Sequence, residues 1–185
     1  MSKFIIQGGT KIKGDIYPQG AKDEALQILC AVLLTPEKVR IKNVPDIIDV
    51  NKLIDLLKSL GVKVDKISAD TYDFQADDIN LDYLESDEFM KKGGALRGSI
   101  MIVGPMLGRF GKGYIPAPGG DKIGRRRVDT HFDGFQMLGA KFEYQAASKF
   151  YKVQGKNLKG CNMLLDEASV TGTANILMAA VLAKG

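Results

Sequence analysis

One stretch of this 185-residue chain is written twice and begun a third time, and this internal repeat limits the possible folds more than any other feature. "LCAVLLTPEKVRIKNVP" (29–45) matches "IVGPMLGRFGKGYIPAP" (102–118), and "LMAAVLAKG" (177–185) matches the start of both. Each copy opens as an apolar helix. The first two pass through a charged turn into a short strand that ends at Pro45 or Pro118. Further on, "VNKLIDLLKSLGVKV" (50–64) aligns with "VDTHFDGFQMLGAKF" (128–142). Val50, Leu53, Ile54, Leu57 and Leu60 fall at helical spacing in the first, and Val128, Phe132, Phe135 and Leu138 in the second. Gly61 and Gly139 stand where a helix C-cap glycine belongs, and "YDFQADDI" and "FYKVQGKNL" read as return strands.

The repeating unit is therefore helix, strand, helix, strand, strand, with a period of roughly 75 residues. The third unit stops at Gly185, just after its first helix, which leaves an apolar face half covered and predicts a fragment of a longer protein. Residues 1–20 stand outside the repeat. "FIIQGGTKIKGDIYPQG" reads as a small β-hairpin turning at Gly8 and Gly9, part of a neighbouring layer or domain.

With 26 Lys and Arg against 22 Asp and Glu, the net charge of +4 is too small to imply a nucleic-acid protein. A basic site for one small anion explains it equally well. The absence of Trp leaves little with which to build stacking platforms for single strands. Cys30 and Cys161 lie in apolar contexts without metal-ligand spacing, as reduced core thiols of a cytoplasmic protein would. No apolar run approaches a membrane span, and the N-terminus has no signal-like segment. The positive charge is concentrated in "PGGDKIGRRR", where Lys122 and Arg125, Arg126 and Arg127 follow Asp121. Gly119 and Gly120 give that turn the freedom to fold over a ligand.

"GAKDEALQIL", "LRGSIMIVGPMLGRFG", "PGGDKIGRRRVDTHFDGFQMLGA" and "SVTGTANILMAA" occur in the order and spacing of the UDP-N-acetylglucosamine enolpyruvyl transferases, the 1-carboxyvinyltransferases of peptidoglycan synthesis. The chain resembles the N-terminal part of that family over essentially its whole length. The resemblance implies an α/β fold, an inside-out α/β barrel built from repeated βαβαββ units, of which about two and a fraction are present. Residues 1–20 would belong to the second domain, and 21–185 to an incomplete nucleotide-sugar-binding domain. It implies transfer of enolpyruvyl from phosphoenolpyruvate to the 3′-hydroxyl of UDP-N-acetylglucosamine. The transfer releases phosphate through a tetrahedral intermediate, with no metal or organic cofactor. The fragment alone is expected to be inactive, because the opposite domain of the same polypeptide supplies further active-site groups.

Site residues follow from the same resemblance. Lys22, Asp23 and Arg126 fall at phosphoenolpyruvate positions, and Asp121 at the loop tip that protonates the enolpyruvyl methylene. Arg97, Arg126, Arg127, Val128, Asp129, Thr130, Ser169, Val170 and Thr171 fall at UDP-N-acetylglucosamine positions, with His131 supporting them. Four departures stand out: Asp23 for the usual Asn, Asp121 for the usual Cys, Arg127 for Pro, and Thr171-Gly172 for Gly-Ala. A free carboxyl with a pKa of about 3.9 is a poor proton donor at neutral pH, so Asp121 must gain its proton from burial and substrate phosphate in a closed site. It is also a weak nucleophile, which predicts resistance to the cysteine-alkylating antibiotic fosfomycin. Residue by residue, plainer readings exist: Lys22 as a solvated lysine, Arg97 paired with Glu85, Asp87 or Glu88, and Asp129, Ser169 or Thr171 as helix caps. For the whole chain the alternatives are a shikimate-pathway enolpyruvyl transferase or a non-catalytic phosphate- or nucleic-acid-binding module.

Overall fold

The computed structural model describes residues 3–115, 128–146 and 150–185. The first unit comprises α1 (Lys22–Ala31), β1 (Lys38–Ile41), α2 (Ile48–Ser59), β2 (Lys63–Lys66) and β3 (Tyr72–Gln75). The second begins with α3 (Asp87–Gly94) and a 3-10 turn, Arg97–Ile102, that runs straight into α4 (Val103–Phe110). It continues through β4 (Lys112–Ile115), α5 (Asp129–Met137), β5 (Lys141–Gln145) and β6 (Phe150–Gln154). The last helix described is α6 (Val170–Ala180).

The repetition extends to individual hydrogen bonds. Each unit forms a three-stranded antiparallel sheet with its last strand in the centre, in the orders β1-β3-β2 and β4-β6-β5. Gln75 stands in register between Lys38 and Lys63, as Gln154 does between Lys112 and Lys141. Helices α2 and α5 end in the same Schellman motif. Gly61 N–H donates to Lys58 O and Val62 N–H to Leu57 O, and Gly139 and Ala140 repeat this toward Gln136 and Phe135. Gly61 and Gly139 have φ of 108° and 96°, a left-handed conformation that costs any other residue a Cβ clash. The carbonyl of the residue before each glycine, Leu60 or Leu138, then accepts from Asn80 or Lys159.

Helical periodicity places the core where the sequence predicts it in the first unit: Val50, Leu53, Leu57 and Leu60 are fully buried and Ile54 nearly so. In the second, Phe135 and Leu138 are buried, whereas Val128 lies just before α5 and Phe132 is only partly buried. Phe132 instead joins a ring cluster with Phe142, Tyr144 and Tyr151 at centroid distances of 4.6–5.0 Å. The units are tied by Arg109 of α4, whose Nη1 donates to Leu33 O at 3.1 Å and Ala76 O at 2.7 Å. A charged donor on two carbonyls of the preceding unit is worth about 1.5–3 kcal/mol per bond.

Helix α6 crosses α4 at very short range, and glycine permits it. A methyl group at Gly104 would stand 2.5 Å from Asn175 Oδ1 and closer still to its backbone oxygen; at Gly108 it would meet the Met178 and Ala179 carbonyls at 3.1–3.2 Å. Helix α6, which opens the third unit, thus packs on α4, its counterpart in the second.

Two expectations are corrected. Residues 3–21 form no strand, and Phe4, Ile6, Ile12 and Ile16 are about nine-tenths exposed. An isolated two-stranded hairpin is marginal without a third strand or a helix beneath it, and neither is at hand. Cys30 is fully buried, where desolvation pushes its thiol pKa far up, but Cys161 is exposed with its thiol against Met137 O. The two sheets among the described residues do not close the barrel.

Candidate active site

Lys22 opens α1 after a chain entry that only glycine allows, since a Cβ at Gly20 would overlap the Asn43 carbonyl. The preceding loop is fastened by Asp46 N–H donating to Gln19 Oε1. Ala21 provides no side-chain cap, so the N–H groups at the start of α1 receive none from that side. The Lys22 ammonium pairs with Asp49 Oδ2, in the first turn of α2, at 2.9 Å. Both side chains are largely exposed, so water and salt screen the pair and a substrate anion can compete for the lysine. Asp23, next in the helix, is exposed; its carboxylate suits the positive helix end but opposes a bound phosphate.

One turn into α1, Leu26 packs against Gly98, so that Arg97 and the turn after it lie beside the start of α1. Of the acids expected near Arg97, Glu85 accepts from the Tyr114 hydroxyl and Lys152, and Glu88 from Lys92. The Tyr114 hydroxyl is pushed up to about 12 by burial and by Glu85. Burial, and in smaller part the charge of Arg97, push the His131 imidazole down to about 4.

The starts of α5 and α6 lie side by side. Ser169 caps α6, its Oγ accepting from Gly172 N–H at 3.1 Å, and a Cβ on Gly172 would meet Thr130 Cγ2 at 3.0 Å. Of the two capping alternatives it is Ser169, not Thr171, that holds the position. Thr130 is buried and donates to Asp166 Oδ1 at 3.1 Å, with Glu167 Oε1 at 3.3 Å as the other acceptor. Asp129 is the first helical residue of α5, not its cap; Val128 holds the cap position with no side-chain hydrogen bond. Val170 and Thr171 point outward, Val170 being 73% exposed. Asp121, Lys122, Arg125, Arg126 and Arg127 lie outside the described residues.

Sequence reasoning missed Asn175. Fully buried, it links three elements: Oδ1 accepts from Gly104 N–H at 2.7 Å, Nδ2 donates to Ile100 O at 2.8 Å, and Nδ2 lies 3.0 Å from His131 Nδ1. An amide inside the apolar run "TANILMAA" was the available signal. Among the described residues no cluster of His, Cys, Asp and Glu could hold a metal ion, and no helix is long and apolar enough to cross a membrane. A shallow cavity beside α2, lined by Asn51, Asp55, Lys66 and Tyr72 among others, includes none of the expected site residues.

Comparison with known proteins sets this geometry in context. Among solved structures, the enolpyruvyl transferase NikO from Streptomyces tendae superposes with a TM-score of 0.78 at 17% identity, over 96% of this chain and 41% of that one. An EPSP synthase from Acinetobacter baumannii follows at a TM-score of 0.66, 14% identity and 93% coverage of this chain. These likenesses establish a mixed α/β fold matching part of the enolpyruvyl transferase fold. Proteins named UDP-N-acetylglucosamine 1-carboxyvinyltransferase are 60% identical in Bacteroides fragilis and Bacteroides thetaiotaomicron, and 57% in Porphyromonas gingivalis. Each match takes in all 185 residues, yet the chain spans only 43% of the length of those relatives. The profile of the EPSP synthase (3-phosphoshikimate 1-carboxyvinyltransferase) family matches residues 6–185, and the chain belongs to that family.

Proposed function

We propose that this chain is the N-terminal part of a cytoplasmic UDP-N-acetylglucosamine 1-carboxyvinyltransferase. The observation that carries the reading is 60% identity over the full length of the chain, against 14–17% for the solved NikO and EPSP synthase structures. Completion of the third unit beyond residue 185 closes the barrel, and residues 3–21, with their exposed Phe4, Ile6 and Ile12, complete a layer of the second domain. Phosphoenolpyruvate and UDP-N-acetylglucosamine are the substrates, and that second domain of the same polypeptide is the partner.

In this reading the starts of α1, α5 and α6 and the 97–102 turn face the two substrates. Lys22 exchanges Asp49 for the phosphate of phosphoenolpyruvate, a modest loss because the pair is exposed. Ser169, Val170 and Thr171 offer the α6 start to the diphosphate, where the helix dipole favours an anion. Arg97, Arg126 and Arg127 supply charge, and Val128, Asp129 and Thr130 hold the uridine end. Asp166 and Glu167, flanking Thr130, suit hydroxyl and N–H donors of sugar and base better than phosphate. The sugar 3′-hydroxyl gives its proton to a carboxylate of the second domain and bonds through oxygen to C2 of phosphoenolpyruvate as Asp121 delivers its proton to C3, giving the tetrahedral ketal. Phosphate then leaves with the C2–O electron pair and a C3 proton returns to the Asp121 carboxylate, which leaves the enol ether.

The test uses the complete polypeptide. Phosphate release is expected only when phosphoenolpyruvate and UDP-N-acetylglucosamine are both present. Turnover of shikimate 3-phosphate instead would overturn the reading in favour of the sister enzyme, and tight binding of nucleic acid without turnover would favour the non-catalytic module.

A further inference from the structure

The buried contact between Asn175 and His131 settles the protonation of the ring. Gly104 N–H can only donate, so the Asn175 atom that meets it at 2.7 Å is the carbonyl oxygen. The other end of the amide is then the NH₂, with two protons. One goes to Ile100 O, which can only accept, and the second points at His131 Nδ1, 3.0 Å away. An N–H needs a lone pair opposite it, so Nδ1 is bare and the ring proton sits on Nε2. We propose that Asn175 is a positioning residue that fixes His131 as a neutral imidazole with its proton on Nε2.

Three observations make the assignment strong. Asn175 is fully buried and His131 is 4% exposed, so water cannot replace a lost partner. A second ring proton would set N–H against N–H, break the contact and stand in the field of Arg97 from the 97–102 turn. The amide also joins α4, that turn, α5 and α6, so the ring orientation and the mutual placement of the helix starts are fixed together. The consequence rests on the function proposed above: beside the nucleotide-sugar end the ring keeps one tautomer and stays uncharged through the physiological range. The device itself stands without that reading.

His131 is the only histidine among the 185 residues, so its ring nitrogens can be read without ambiguity in the ¹⁵N-labelled chain; in a longer polypeptide the signals are those lost in His131→Gln. The expected spectrum has a bare Nδ1, a protonated Nε2 and a coupling through the hydrogen bond between Asn175 Nδ2 and His131 Nδ1. The ring should stay neutral well below pH 6.5. Asn175→Asp turns the donor into an acceptor and should move the proton to Nδ1 or add one, raising the titration midpoint by more than one pH unit. A wild-type proton on Nδ1, an absent coupling, or an Asn175→Asp ring unchanged from wild type overturns the proposal. If Asn175→Asp does not fold, the wild-type tautomer and coupling decide it. Substrate dependence of turnover tests the proposed reaction separately, so the two failures cannot be confused.

Discussion

Replacing Gly104 with alanine tests the packing that sets the site. In an open helix this change is favourable by at most about 1 kcal/mol, because alanine is the better helix former. Here the methyl would overlap the Asn175 backbone oxygen and lie 2.5 Å from Oδ1, and a backbone atom in mid-helix cannot step aside. Forcing α4 and α6 apart costs about 1–3 kcal/mol in overpacking. Stretching the Gly104 N–H bond to Asn175 then leaves two buried polar groups unsatisfied, at about 1–3 kcal/mol more. The overlap wins, and a net loss of about 3 kcal/mol follows. Two other glycines serve as controls. At Gly134 the methyl would crowd the buried, β-branched side chain of Ile176 and no backbone atom, so Gly134→Ala should lose about 1–2 kcal/mol, less than Gly104→Ala. At Gly139 there is open space but φ is 96°, so Gly139→Ala should lose about 1–2 kcal/mol through backbone strain alone. Urea unfolding followed by circular dichroism measures all three. With a slope of about 2 kcal/mol/M, Gly104→Ala should lower the midpoint by about 1.5 M. A Gly104→Ala protein as stable as wild type, or more stable than Gly139→Ala, would refute the reasoning.

Stability should rise with pH between about 4 and 6.5, because His131 ionises at 6.5 when unfolded but at about 4 when buried. The unfolded chain takes up that proton first, so the contribution, about 3 kcal/mol in size, is complete above the unfolded value and lost as pH falls through this window. His131→Gln should flatten that part of a stability-against-pH curve, and an unaltered slope would count against the burial argument. In the complete enzyme, Asp121→Asn should lower kcat by at least about a hundredfold while nucleotide-sugar binding by calorimetry survives. Undiminished turnover would remove Asp121 as the acid. Fosfomycin should leave the complete enzyme active and unmodified; a stable adduct at Asp121 in intact-protein mass spectrometry would contradict the weak nucleophilicity of a carboxylate.

The repeat was legible because the signals that define it are local. The Leu-Gly helix ends at 60–61 and 138–139 demand a Schellman turn whatever lies around them, and both make one. The period of Val50, Leu53 and Leu57 needs only one covering layer to become a core. The hairpin expected in residues 1–20 depends on surface outside itself, so its turn glycines, Gly8 and Gly9, were a weaker guide. For the candidate site, family motifs single out Lys22, Arg97, Thr130 and Ser169, but not what each touches. Asn175 and Gly104 are 71 positions apart, and no local pattern signals that one amide accepts the other's N–H. Helix crossings of this kind depend on two small residues meeting a backbone, a property of the pair and not of either sequence alone.

The described frame explains why so much charge is stored between Lys122 and Arg127. In the proposed reaction two substrates bearing phosphates are held where much of the local positive charge is already offset. Lys22 is shared with Asp49, Thr130 has Asp166 and Glu167 beside it, and His131 is kept neutral. Helix starts contribute only partial charges, worth about 0.3–1 kcal/mol each near the surface. In the proposed function the four basic residues of 122–127 are therefore the reserve of positive charge for substrate oxyanions. In the proposed reaction the same encounter serves catalysis. The basic residues alone would hold Asp121 ionised, and substrate phosphate, by cancelling their field, lets the carboxyl regain its proton only once there is a vinyl carbon to receive it.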